Sequence, residues 1–233
     1  MSTLIAVAIV ANLSACSDEP ETEPVTIGSA PATAGPAITL DRELDEFGAF
    51  REWPSACDMV TDDTLQAFLP QIDEITRTPE EQEYQVHAED LTSVPGGIFV
   101  PEARCKIAFH IPVGMLDSNE GYVHLDVLAA GSEEFVGLNL DKAEGTAMDV
   151  EGGECEAASD GIRCLDESKQ LHFRMSFQLP HHGPSLKDPS RYEADGETVS
   201  FTTDNKDTEA RNEFIESHLT QPILQSILDR LHK

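Results

Sequence analysis

The chain has 233 residues, with 44 acidic side chains against 15 basic ones and a formal net charge of −29. That charge excludes a nucleic-acid binder, whose affinity comes from cations neutralising phosphates, and it disfavours direct docking onto anionic lipid headgroups. The acidic residues are spread along the chain rather than blocked, which reads as a solvated, mutually repulsive surface, and no loop has the calcium-binding spacing.

An apolar run, 4–11, leads to Leu13-Ser14-Ala15-Cys16. The run is shorter than the roughly 20 apolar residues that span a bilayer. It has the length of a signal-peptide core, although Met1-Ser2-Thr3 lacks the usual leading cation. The tetrapeptide resembles the lipobox of exported bacterial lipoproteins. The resemblance implies a signal peptide over 1–15, acylation of Cys16 (palmitate-type chains) and membrane attachment through that N-terminal lipid. It also implies a cell-envelope location. Because Ser17 rather than Asp follows the cysteine, that location is the outer membrane, facing the periplasm, in a Gram-negative host. Residues 16–36 are acidic and broken by Pro, then rich in Ala, Gly, Pro, Ser and Thr. Such composition buries too little apolar surface to offset ordering entropy. The segment reads as a disordered, lipidated tether reaching at most about 60 Å at about 3.1 Å per residue.

The remainder, 37–233, reads as a single globular domain with enough length for a proper core. Thr61-Asp62-Asp63 is a helix start, with Leu65, Phe68 and Leu69 as the apolar face and Pro70 as the stop. Thr78-Pro79-Glu80-Glu81 has the form of a capping box with Pro at the first helical position, predicting a second short helix to about His87. Val94-Pro95-Gly96-Gly97 reads as a turn. Alternation then takes over. Cys105, Ile107, Phe109 and Ile111 share one face, as do Val123, Leu125 and Val127. Leu171, Phe173, Met175, Phe177 and Leu179 share another. Period-two patterns with one polar side indicate a half-solvated antiparallel sheet. Another strand, 198–202, follows the Asp195-Gly196 turn. Phe214, Ile215, His218 and Leu219 recur at helical spacing, then Ile223, Leu224, Ile227, Leu228 and Leu231, with Pro222 between the two sets. The expected fold is α+β: an antiparallel meander of about five or six strands flanked by N-terminal and C-terminal helices.

Cys16 aside, four cysteines remain, an even number that suits disulfides in an exported protein. They allow three pairings. The spacing 155–164 reads as a hairpin with a four-residue loop, 158–161, that sets Cys155 opposite Cys164, with Gly161 at a left-handed position. Cys57 then pairs with Cys105. A Cys-based metal site is disfavoured because no Cys-x-x-Cys spacing occurs.

A second resemblance concerns the domain. Ala56-Cys57-Asp58-Met59-Val60-Thr61 opening a helix, Cys105 at a strand start, Val136-Gly137-Leu138 before Lys142-Ala143, and the closing Ile227-Leu228-Asp229-Arg230-Leu231 resemble a family of actinobacterial secreted lipoproteins of unknown function. Lys106-Ile107 stands where that family usually has an aromatic residue after its second cysteine. The resemblance implies a fold and no activity.

No catalytic motif is present: no Gly-x-Ser-x-Gly elbow, no phosphate loop and no His-Glu-x-x-His. One pattern bears on metals. His110, His124 and His172 fall on the polar faces of three predicted strands, with Asp126 and Arg174 on the same faces. In register they could surround a zinc-type ion; otherwise they are ordinary solvated surface, the reading preferred here. His181-His182-Gly183-Pro184 reads as an exposed loop. The expected function is therefore non-enzymatic, with no cofactor. It is a membrane-anchored envelope lipoprotein whose domain binds an unknown envelope protein or small ligand, and no nucleic acid. The alternative is a metal-binding envelope protein using the histidine face.

Overall fold

The computed structural model describes residues 23–29, 35–40, 53–84, 98–112, 120–140, 145–180, 189–202 and 204–231. The signal peptide, Cys16, most of the expected tether, the 94–97 turn, Lys142-Ala143 and the 181–184 loop lie outside them.

In chain order the described elements begin with β1 (Val25–Ile27), a 3₁₀ turn (Ala56–Asp58) and α1 (Asp62–Phe68). Three long strands follow, β2 (Asp73–Tyr84), β3 (Ile98–His110) and β4 (Glu120–Ala130), then α2 (Glu133–Leu138). Next come β5 (Thr146–Met148), β6 (Gly153–Ala158), β7 (Gly161–Asp166) and β8 (Leu171–Gln178). The chain continues through β9 (Ser190–Ala194) and β10 (Glu197–Phe201) and closes on α3 (Asn205–Ile215), a π-helical turn (Glu216–Thr220) and α4 (Gln221–Leu231).

The protein is mostly β. Its main sheet has seven strands rather than five or six, in the order β2-β3-β4-β8-β7-β6-β5, and every pairing in it is antiparallel. Two meanders, β2-β3-β4 and β5-β6-β7-β8, meet at β4–β8. The predicted alternation explains which face turns inward: Cys105, Ile107, Phe109, Val123, Leu125, Val127, Phe173 and Met175 are all buried. They share one core with Leu65, Phe68 and Leu69 at α1 and Ile223, Leu224, Ile227 and Leu228 of α4. Thr61 caps α1 as expected, its Oγ1 accepting from Thr64 N at 3.1 Å.

Three expectations are corrected. The capping-box segment 78–81 is no helix; it lies inside β2, with Thr78, Pro79 and Glu80 opposite Lys106, Cys105 and Arg104 of β3. Strand pairing overrides the local start signal, and Pro is tolerated because β2 is an edge strand. The tether is interrupted. Val25–Ile27 pairs in parallel with β9, forming a second sheet, β1-β9-β10. Val25 and Ile27 are buried there. Gly28 follows, donating to Phe68 O at 2.8 Å; a Cβ at Gly28 would stand 2.2 Å from Ala67 O, so only glycine fits. The β6–β7 turn is tighter than a four-residue loop. Ala158 and Gly161 still pair, leaving Ser159-Asp160 as the turn, with Gly161 at φ +126°. Pro222 does mark the start of a new helix: it stands in the first turn of α4, directly after a π turn in which Gln221 N–H bonds Glu216 O, a position where proline is tolerated.

Both disulfides form: Cys57–Cys105 ties the 3₁₀ turn to β3, and Cys155–Cys164 crosses the hairpin. Among the described residues no helix is long and apolar enough to cross a membrane.

Candidate functional site

On the open face of the main sheet, the register sets Glu80, Arg104, Asp126, Arg174, Arg163 and Glu156 in one row across six strands. Asp126 receives Arg104 Nε at 2.7 Å and Arg174 Nε at 2.8 Å. Arg174 also reaches Asp160, which Arg163 Nη2 holds at 2.8 Å. Asp126 is thus satisfied by two arginines, and Arg174 and Arg163 by Asp126 and Asp160.

The three histidines do not meet. His110 pairs with Glu120 of β4 and bonds Asp73, Nδ1 to Oδ1 2.8 Å. His124 lies opposite Lys106, four residues along β3 from His110, or about 13 Å at about 3.3 Å per residue. His172 is opposite Ala129, beyond a bulge that follows Val127. It is also buried, contrary to the solvated position expected. Past that bulge the alternation no longer separates polar from apolar; Ala129, Ala130, Leu171 and His172 are all buried, at the end of the sheet where α2 packs on β4. No group of three or more His, Cys, Asp or Glu able to hold a metal occurs among the described residues. The metal alternative loses its geometry.

A different arrangement stands out around residues 57–60. Ser55 caps this short turn, and Cys57 N lies 3.3 Å from Ser55 Oγ. Four successive carbonyls leave the turn, and two guanidiniums share them, one taking the outer pair and the other the inner pair. Arg77, from β2, donates to Cys57 O at 3.2 Å and Val60 O at 2.8 Å, and pairs with Asp62. Arg230, from α4, donates to Asp58 O at 3.0 Å and Met59 O at 2.8 Å. Its Nε also donates to Pro36 O at 2.7 Å, while its own carbonyl accepts from Ile38 N at 3.0 Å. Arg230 thus straps residues 36–38 to the C-terminal helix. Gly35 passes so close that a Cβ there would sit 3.1 Å from Arg230 Nε.

The strap, the turn and the start of α1 wall a cleft of about 660 Å³. Arg230 lines it and is only 1 % exposed. Burial lowers the pKa of this guanidinium, and the charge of Asp58 raises it in part. A guanidinium has five N–H donors. Three of Arg230's go to carbonyls, leaving two, and no carboxylate among the described residues forms an ion pair with it. Asp58, Asp62 and Asp63 stand on the exposed rim, and among the described residues Asp62 alone of the three forms an ion pair. A smaller cleft of about 360 Å³ lies between the β6–β7 hairpin and the π turn, lined by Met175, Ile215 and Thr220 among others.

No sequence motif singles out Arg230. The signal was available: Arg230 falls three residues after Ile227 and seven after Ile223, on the apolar stripe itself. A cation at a stripe position is either a snorkelling side chain or a buried one with work to do. No protein-family model, characterised protein or solved structure matches this chain.

Proposed function

We propose that the chain is an exported lipoprotein, held in the membrane by a lipid on Cys16, whose domain binds a small ligand without transforming it. The two disulfides indicate an oxidising, exported environment. The order of apolar run, Leu13-Ser14-Ala15 and Cys16 supports the lipid anchor, and Ser17 favours the outer membrane of a two-membraned host. The binding role rests on one observation: Arg230 is buried at the wall of a cleft of about 660 Å³, with donors to spare and, among the described residues, no carboxylate in an ion pair with it. Burying a guanidinium without a carboxylate is costly. A ligand that completed its hydrogen bonds would recover part of that cost, and the volume falls in the range of small-molecule pockets, about 300–1,000 Å³.

Two measurements test this reading. Cys16→Ser expressed in the native host should move the protein from the membrane pellet to the soluble fraction; an unchanged pellet refutes the anchor. Equilibrium dialysis of the purified chain against a metabolite mixture, read by mass spectrometry, should enrich a compound. Ala37→Trp, which fills the cleft from an exposed position on the strap, should abolish the enrichment. Enrichment that survives in this variant places the ligand elsewhere and removes the cleft from the proposal.

A further inference from the structure

We infer that the ligand of this cleft is a zwitterion, a free amino acid or short peptide, with its carboxylate taken by Arg230 and its ammonium by the rim carboxylates Asp58 and Asp63. The inference rests on the ligand-binding reading above and adds the chemistry of the ligand to it.

The cation comes first. Arg230 is buried, bound only to carbonyls, and retains two N–H donors. Carbonyls satisfy hydrogen bonds but carry no charge. The group that would neutralise a guanidinium and accept from its remaining donors is a carboxylate. The rim then decides what that carboxylate is attached to. Asp58 and Asp63 are exposed, line the same cleft and form no ion pair among the described residues. Asp62 is engaged by Arg77. A purely anionic ligand would have to pass these carboxylates on a chain of net charge −29, and like charges repel over a Debye length of about 8 Å at physiological salt. A purely cationic ligand would be attracted by the rim but repelled by Arg230 at the wall. A molecule carrying both charges is the one that lowers the energy at each place. Ala37, Ile38 and Val60 add apolar wall to the same cleft, which suits an aliphatic body.

The test uses the full chain at fixed ionic strength, read by thermal melting and titration calorimetry. The probes are the free amino acids, tri-alanine, N-acetyl-tri-alanine amide, sodium acetate and methylammonium chloride. Tri-alanine or a free amino acid should raise Tm in a saturable way. The blocked peptide, acetate and methylammonium should not. Asp63→Asn, an exposed change, should leave the unliganded Tm in place and weaken binding by about tenfold, the usual consequence of losing a charged hydrogen-bond partner. Arg230→Lys should abolish binding; should that variant fail to fold, Asp58→Asn and Asp63→Asn together carry the test. No response to any zwitterion overturns the inference, as does a blocked peptide that binds as well as tri-alanine. If dialysis enriches a compound that lacks either charge, the zwitterion falls and ligand binding stands. If dialysis and the probes both give nothing, the two readings fall together.

Discussion

Asp126 is the most constrained charge on the open face of the sheet. Its side chain is only 6 % exposed, and it holds Arg104 and Arg174 from opposite sides. Its charge, after burial, also helps hold the Tyr84 hydroxyl in its protonated form, well above the usual tyrosine range. Asp126→Asn should cost about 1–3 kcal/mol. That is less than the 3–5 of a fully buried pair, because both arginines keep contact with water; a urea midpoint that falls with an unchanged m-value checks it. His124 gives a pH-dependent counterpart. Burial, then the Lys106 ammonium, lowers its pKa. The unfolded chain binds that proton near pH 6.5 and the folded chain only at lower pH. The stabilisation is therefore complete above about pH 6.5 and is lost as pH falls through the folded value. Tm should decline from pH 7 to pH 5, and His124→Gln should flatten that decline; an unaltered slope would assign it to other groups. The histidines were legible as strand residues but not as neighbours, because alternation gives a face and not a register. Arg230 was hidden for a related reason. Periodicity shows that it lies on the apolar stripe, while its carbonyl partners at 36, 58 and 59 are remote in sequence.

The strands that sequence reveals are those with an uninterrupted period of two. β3, β4 and β8 bury alternate residues over most of their length and announce themselves. β2 also alternates, with Ile75 and Arg77 half-buried and then Gln82 and Tyr84, but a register shift between Glu80 and Gln82 breaks the phase. Thr78-Pro79-Glu80-Glu81 sits at that break and mimics a helix start. A cap contributes about 1 kcal/mol, which pairing with β3 along nearly the whole strand outweighs. β1 and β9 are too short to carry a pattern of their own. The disulfides were legible because one of them closes a hairpin, a local feature. The loops they close differ in length, with sequence separations of 48 and 9. On the chain-entropy model this gives about 4 kcal/mol for Cys57–Cys105 and about 2.7 kcal/mol for Cys155–Cys164. Replacing the first pair by serine should therefore lower the urea midpoint more than replacing the second. It should also loosen the turn that Arg77 and Arg230 hold, since Cys57 belongs to that turn. Equal losses would show that native strain or residual unfolded structure, not loop length, sets the two contributions.

At the scale of the whole molecule, the N-terminal segment is part of the fold and not merely its leash. By composition, which changes at Pro36, residues 37–233 form a natural domain. Composition describes what a segment can bury alone, however, and Val25–Ile27 buries itself by pairing with β9. Gln71 closes the outer edge of that strand, accepting from Thr26 N at 2.7 Å and donating to Pro24 O at 3.1 Å. Farther on, Pro36 O completes Arg230. Anchored at Cys16, the chain would have only the eight steps to Pro24 before it enters the fold. That reach is at most about 29 Å at about 3.6 Å per residue, two fifths of what the twenty steps to Pro36 would allow, so the cleft would be held close to the bilayer. A truncation series tests the boundary without the membrane. A chain beginning at Glu23 should melt with the full-length protein. A chain beginning at Ala37 loses two buried side chains, each worth about 1.5–3 kcal/mol before ordering entropy is subtracted. It also leaves a buried Arg230 donor without its carbonyl, a further cost of about 1–3 kcal/mol. The expected net loss is about 3 kcal/mol, measured by urea unfolding. It should come with weaker ligand binding, because the strap that walls the cleft would no longer be pinned at Pro36. Equal stability of the two truncations would mean that β1 and the strap contribute nothing, and that the domain begins where the composition changes.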